Sequence, residues 1–256
     1  MPYTFAHPAA VVPLRRYLWL PGLVAGSIAP DLGYYVPVPG GSGFSHTLRG
    51  LFSTDIASSA ELIVAAYLLI GPVLAVAPAG WRERITTPDT LAQLRSVRAA
   101  LTLVASVIVG SATHILWDAF THPQGRAVVH WTVFRDLTIY GHELYNVLSY
   151  LSALGGLVVV GVAVRIWHRN APTSAPDRWP AVPDLWARIA QAAAVLAFLV
   201  GGAVGLAKAH EASGYGSAAR FLVGATQGLG LVLFGYAVLW YAVLRPVVRR
   251  TADQPR

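Results

Sequence analysis

The chain has 256 residues, 55% of them hydrophobic and only 12% charged, with a net charge of +7. A soluble domain carries about 25% charged residues, so a deficit of this size leaves too little polar surface to cover a globule in water. Cysteine is absent, which excludes disulfides, thiolate metal sites and cysteine nucleophiles and leaves any metal to His, Asp and Glu, the harder ligands suited to zinc, manganese or iron.

The start, Met1-Pro2-Tyr3-Thr4-Phe5, lacks a basic region followed by a cleavable apolar stretch, so no signal peptide is predicted. From Pro8 to Pro30 the chain is apolar at both ends, but Arg15 and Arg16 lie inside and Pro21-Gly22 interrupts it. This stretch is either one kinked span or a hairpin of two short helices, neither of which can cross alone, since twelve residues of helix reach only about 18 Å. Five segments then have the roughly 20 apolar residues that a crossing needs: Ser58 to Ala77, Val97 to Trp117, Tyr145 to Trp167, Leu185 to Ala207 and Ala219 to Leu244. Trp81, Trp117, Trp167, Trp186 and Trp240 gather at their ends, as in an interfacial aromatic belt. The expected fold is an all-α, polytopic transmembrane bundle of five to six hydrophobic helices. Residues 1–168 read as a membrane domain that holds the chemistry, 169–184 as a cytoplasmic linker and 185–256 as a C-terminal helix pair.

The positive charge does not indicate nucleic acid, because the arginines are scattered between apolar stretches without a basic face or recognition motif. They are an orientation signal instead. Four arginines each fall in the loop from Arg82 to Arg98, the linker from Arg165 to Arg188 and the tail from Arg245 to Arg256. The alternate loops hold only Arg49, Arg126, Arg135, Lys208 and Arg220. The basic loops and the C-terminus are therefore expected in the cytoplasm, with the protein in the cell membrane. His46, His114, His122, His130, His142 and His210 then collect on the opposite face with Asp31, Asp55, Asp118, Asp136, Glu143 and Glu211. A face poor in cations and rich in imidazole and carboxylate suits a divalent cation.

Within this set, Ser27-Ile-Ala-Pro-Asp31 puts an acid just after an apolar segment, where it is either a ligand or an ordinary turn residue. His46, in Gly43-Phe-Ser-His46-Thr47, stands at the start of the next helical stretch, with Ser45 available as its cap. The sharpest pattern is His114-Ile-Leu-Trp-Asp118-Ala-Phe-Thr-His122. Residues four apart on a helix share a face, so His114 and Asp118 can converge on one metal or staple the helix by a mutual hydrogen bond. His122 extends the row, although Pro123 biases it out of helical geometry. His7 can join only if the N-terminal stretch is a hairpin. Asp55 and Glu61 read as boundary residues, and Gly155-Gly156 and Gly201-Gly202 as sites of close helix packing.

The ordered set T-F-x-H, G-S-I-A-P-D, S-H-T-L and H-I-L-W-D-A-F-T-H-P resembles the bacterial integral-membrane family known as domain of unknown function 4184. The resemblance runs from Met1 to Gly161, and the C-terminal helix pair lies outside it. More distantly, the layout resembles inner-membrane metal-dependent hydrolases, which carry an early T-H, a P-D-x-D, an H-S-L and an H-x-x-x-D. That resemblance implies matching positions at His7, Asp31, His46, His114 and Asp118. Here Gly33 stands where those hydrolases have a second aspartate.

These readings together lead to an expected metal-dependent hydrolase, acting on a phosphoester or lipid-linked substrate at the extracytoplasmic face. Its divalent metal, zinc by preference, would be held by Asp31, His46, His114 and Asp118, with His7 and His122 as further candidate ligands, and Glu143 would serve as general base. Membrane lipid is the expected partner. The alternative is a non-catalytic scaffold, or a transporter-like protein, with a structural His/Asp cluster.

Overall fold

The computed structural model describes residues 3–85, 96–173, 181–209 and 214–245, the side chains of 214 and 215 excepted. His210, Glu211, the middle of the linker and the end of the tail lie outside these residues. Among the described residues the protein is predominantly helical, and five helices are long and apolar enough to cross a membrane: Thr54–Val76, Val97–His130, Leu144–Asn170, Asp184–Ala207 and Gly216–Leu244. The chain is an all-α polytopic membrane protein.

It divides into two units, one of Met1–Ile63 with Asp89–Trp167 and one of Val64–Pro88 with His168–Arg256. In the first, a 3-10 turn at Thr4–Ala6 leads to α1 (Pro8–Val11) and α2 (Leu20–Ile28), followed by a 3-10 segment, Ala29–Tyr34. Then come α3 (Gly41–Ser45), α4 (Leu48–Leu51) and the start of α5 (Thr54–Val76), whose remainder belongs to the second unit. After α6 (Ala79–Arg82) of the second unit, the first resumes with α7 (Val97–Thr121), α8 (Arg126–His130) and α9 (Val133–Asp136). A two-residue hairpin of β1 (Thr138–Ile139) and β2 (His142–Glu143) precedes α10 (Leu144–Asn170). Tyr140 and Gly141 form its turn, both with positive φ, as a tight hairpin turn of the primed type requires.

The N-terminal stretch is not a kinked span. Its two ends return to one place, where the Thr4 hydroxyl donates to Asp31 Oδ2 at 2.6 Å. α2 has only nine residues, and it lies against α7, whose side chains satisfy its terminal backbone groups. Trp19 N–H donates to Ser106 Oγ at 3.0 Å, Ser111 Oγ donates to Gly26 O at 3.1 Å, and His114 Nδ1 meets Ser27 O at 2.7 Å. These are end groups that a short helix leaves unbonded, and burying them unpaired costs about 1–3 kcal/mol each. Close approach is possible because glycine stands at the contacts: a Cβ on Gly26 would strike the Val107 carbonyl, and one on Gly110 would strike that of Leu23.

In the second unit, α11 (Asp184–Ala207) packs along α12 (Gly214–Leu239), which ends in a π-helical turn at Trp240–Leu244. A Cβ on Gly201 would meet the Gly224 carbonyl, one on Gly205 that of Arg220, and one on Gly228 that of Ala197. Ala75, Val182 and Trp240 form a small core, while Gln191 Nε2 donates to Val76 O at 2.7 Å.

Candidate metal centre

Four segments of the first unit bring their polar residues to one point. Asp31 comes from the 3-10 segment after α2 and is wholly buried, and His46 follows the last residue of α3. His114 and Asp118 lie one turn apart near the end of α7, also buried. One ligand atom from each of these four lies within 4.8 Å of the other three.

The spacing of these atoms is informative. His114 Nε2 is 3.4 Å from Asp31 Oδ1 and 3.2 Å from Asp118 Oδ2. His46 Nε2 is 3.5 Å from the first oxygen and 3.3 Å from the second. Four ligands at zinc–nitrogen and zinc–oxygen lengths of 2.0–2.1 Å make a tetrahedron with edges of about 3.3–3.4 Å. The four measured distances, 3.2–3.5 Å, lie close to that length. His46 Nε2, His114 Nε2, Asp31 Oδ1 and both oxygens of Asp118 are buried without a well-aligned hydrogen bond.

The surroundings fix which atoms face inward. The outer nitrogens, His114 Nδ1 and His46 Nδ1, lie 2.7 Å from the carbonyls of Ser27 and Ser42. A carbonyl only accepts, so each Nδ1 carries the hydrogen, and in the neutral ring the Nε2 lone pair points at the cluster. This is the outer-shell arrangement that orients metal-binding histidines. The Thr4 hydroxyl does the same for Asp31, since it donates to Oδ2 and leaves Oδ1 facing inward. Burial alone would push the Asp31 carboxyl up, but the imidazoles of His114 and His46 together outweigh it and hold the group below the ordinary carboxylate range. His46, although burial opposes its charge, is drawn up to about 9 by Asp118 and Asp31. A field that favours a proton there also suits a divalent cation, whose charge the two carboxylates could balance.

The other expected ligands sit around this core. The His7 ring stacks on His114 at 3.7 Å, and its Nε2 is 3.6 Å from Asp118 Oδ1. Burial, reinforced by His114, pushes His7 down to about 3, so it stays neutral. His122 has left helical geometry, as Pro123 dictates, yet its Nδ1 is 3.3 Å from Asp118 Oδ2. The side chains of His46 and His122 are 21% and 19% exposed, against 0% for His114, so the cluster opens on their side.

Glu143 lies in the hairpin, outside the four-residue group, where its Oε2 accepts from Asn146 Nδ2 at 3.2 Å. Asp55 departs from its reading as a boundary residue. It is wholly buried at the start of α5, and neither carboxylate oxygen has a hydrogen-bond partner. Thr54, Ser58 and Ser59 are buried beside it in sequence. A polar face at helical spacing is the signal that marks this end of α5 as turned inward, whereas Glu61 is exposed. Ser45 also has another role than helix capping: its hydroxyl donates to Pro30 O at 2.7 Å, and Thr47 caps α4 by accepting from Gly50 N–H at 3.0 Å.

The family model "Domain of unknown function (DUF4184)" matches residues 1–244. The chain belongs to this family. The match takes in the C-terminal helix pair, which the resemblance read from the motifs leaves out; the family's span therefore covers both units. No curated protein and no solved structure matches the chain. The family's member here has no room for an aspartate at Gly33, because a Cβ there would lie 2.8 Å from Ser42 N and 3.0 Å from Val38 Cγ2. The loop leading to His46 fills the space that a second carboxylate would need.

Proposed function

We propose that the protein is a membrane-embedded, metal-dependent hydrolase with one divalent cation, zinc by preference, at Asp31, His46, His114 and Asp118. The observation that carries this reading is the set of four inward-facing ligand atoms that lie within 4.8 Å of one another, with four of their separations between 3.2 and 3.5 Å. An ion held there would supply Lewis-acid chemistry to an ester oxygen and, were water admitted as a further ligand from the exposed side at His46 and His122, would make that water nucleophilic at neutral pH. The chain's own residues supply the rest. Ser27 O, Ser42 O and Thr4 hold the ligands in their orientations, His7 and His122 flank Asp118, and Asp55 takes the part of general base that the sequence suggested for Glu143. Asp55 suits the part because it is a buried carboxylate outside the ligand group with both oxygens free of hydrogen bonds. The substrate class is a phosphoester, free or lipid-linked, and the cluster faces the extracytoplasmic side, opposite the arginine-rich loops.

Metal analysis of the purified protein tests the centre, and hydrolysis of p-nitrophenyl phosphate tests the chemistry. One equivalent of metal per chain is expected, lost in His114→Ala. Asp55→Asn should keep the metal and lose turnover by at least about a hundredfold, the usual size of a general-base contribution. A wild-type protein without stoichiometric metal would sink the reading. Bound metal without turnover on any phosphoester would favour a structural centre in a scaffold, the alternative supported by the missing carboxylate at Gly33.

A further inference from the structure

A groove of about 340 Å³ opens against His7 in the first unit, at the small end of the roughly 300–1,000 Å³ common for ligand pockets. Ala9 and Ala10 line it from the N-terminal segment, Trp117 from α7, and Gly155 and Val159 from α10. Trp117 and the α10 residues belong to helices long and apolar enough to cross a membrane. The lining is almost entirely apolar, so water would find too few partners there.

The groove is not an isolated dent in a greasy surface. One of its walls is His7, which is 95% buried (5% exposed) and has an Nε2 with no hydrogen-bond partner. The same imidazole stacks on His114 and lies 3.6 Å from Asp118. One side chain thus separates an apolar trough from the cluster. The two neighbouring glycines of α10 have different situations. A Cβ on Gly156 would lie 2.8 Å from Ala6 Cβ and 2.7 Å from Ala6 O, so this glycine lets α10 close on the N-terminal segment. A Cβ on Gly155 would meet nothing within 4 Å, and that open space is part of the groove. Close packing is therefore required at one glycine and given up at the next.

We infer that this groove seats a hydrocarbon chain of an amphiphilic phosphoester whose head group is presented at the cluster past His7. The inference rests on the hydrolase reading and narrows its substrate class to lipids with a single chain next to the phosphate-bearing head. Lysophosphatidic acid is the simplest such molecule and serves as the probe.

The test is Gly155→Phe, which fills the groove from a position with room for it, beside Gly161→Phe, a change on the same helix that also meets open space but does not line the groove. Full-length protein in phosphatidylcholine vesicles is exposed to lysophosphatidic acid carrying a diazirine at its chain end, and labelled peptides are mapped. Labelling concentrated on residues 6–10 and 152–159, lost in Gly155→Phe and kept in Gly161→Phe, is the expected result. Labelling spread equally over the exposed faces around Leu231 and Phe234, or unchanged in Gly155→Phe, overturns the inference. In the hydrolysis assay Gly155→Phe should raise KM for lysophosphatidic acid roughly tenfold or more relative to any change in KM for p-nitrophenyl phosphate, which has no chain to seat. An equal loss with both substrates also overturns it. Failure of the hydrolase reading looks different: groove labelling would persist with no turnover of either ester.

Discussion

In α2 against α7, and again in α11 against α12, glycine removes side chains so that backbone meets backbone. In the first pair Gly26 and Gly110 make the contacts; in the second Gly201, Gly205 and Gly228 make them. What crosses the contact differs. α7 sends Ser106, Ser111 and His114 to the backbone of α2 and carries Asp118 one turn further on. At the α11–α12 contact a Cβ would meet only backbone and, at Gly202, the Phe221 ring. Small residues bring membrane helices together whether or not there is chemistry to place. Close approach becomes a functional device only where a histidine or hydroxyl stands beside it, near enough to reach a carbonyl on the opposing helix.

This contrast can be tested by damaging each pair in the same way. Gly110→Leu and Gly205→Leu should both lower stability, by about 1–3 kcal/mol each as overpacking does. Only Gly110→Leu should strip the metal as well. Thermal unfolding in detergent, with metal content read on the same samples, gives both answers, and metal loss in Gly205→Leu would erase the distinction. A gentler change sharpens it: Thr4→Val removes the hydrogen bond that orients Asp31 and should weaken metal binding about 10- to 100-fold, the usual cost of losing an outer-shell partner. Competition with a chelator measures that affinity. The smallest effect belongs to Ser111→Ala, which breaks one tie between α7 and α2. About 1 kcal/mol is expected, the low end of the cost of leaving the Gly26 carbonyl unpaired, with metal affinity unchanged within error.

The five spans were legible because a crossing demands some 20 apolar residues in a row, and nothing else in the chain looks like that. His114 and Asp118 were legible through their spacing of four. The hairpin at the start was not, because Arg15, Arg16 and Pro21-Gly22 fit a kinked span as readily. What decides it is the satisfaction of the ends of α2 by side chains some 85 residues away, which no local pattern announces. Asp55 was misjudged because an acid near a helix start is usually solvated; its burial follows from the serines on the same face. Ser45 reads as a cap by position, yet the 3-10 segment lies close enough to take its hydroxyl. The C-terminal pair carries no motif of polar residues, so its membership of the family could not be read from one chain.

The inward atoms come from positions 31, 46, 114 and 118, and this distribution bears on how the protein is made. During synthesis Asp31 and His46 emerge long before their partners, so neither carboxylate nor imidazole can be shielded until residue 118 has left the ribosome. The half-made chain must keep a nine-residue helix, α2, whose end groups have nothing to bond with until α7 arrives. Assembly of the four-residue cluster is thus a late event in biogenesis, and a chain truncated before His114 would be left with Asp31 and His46 exposed.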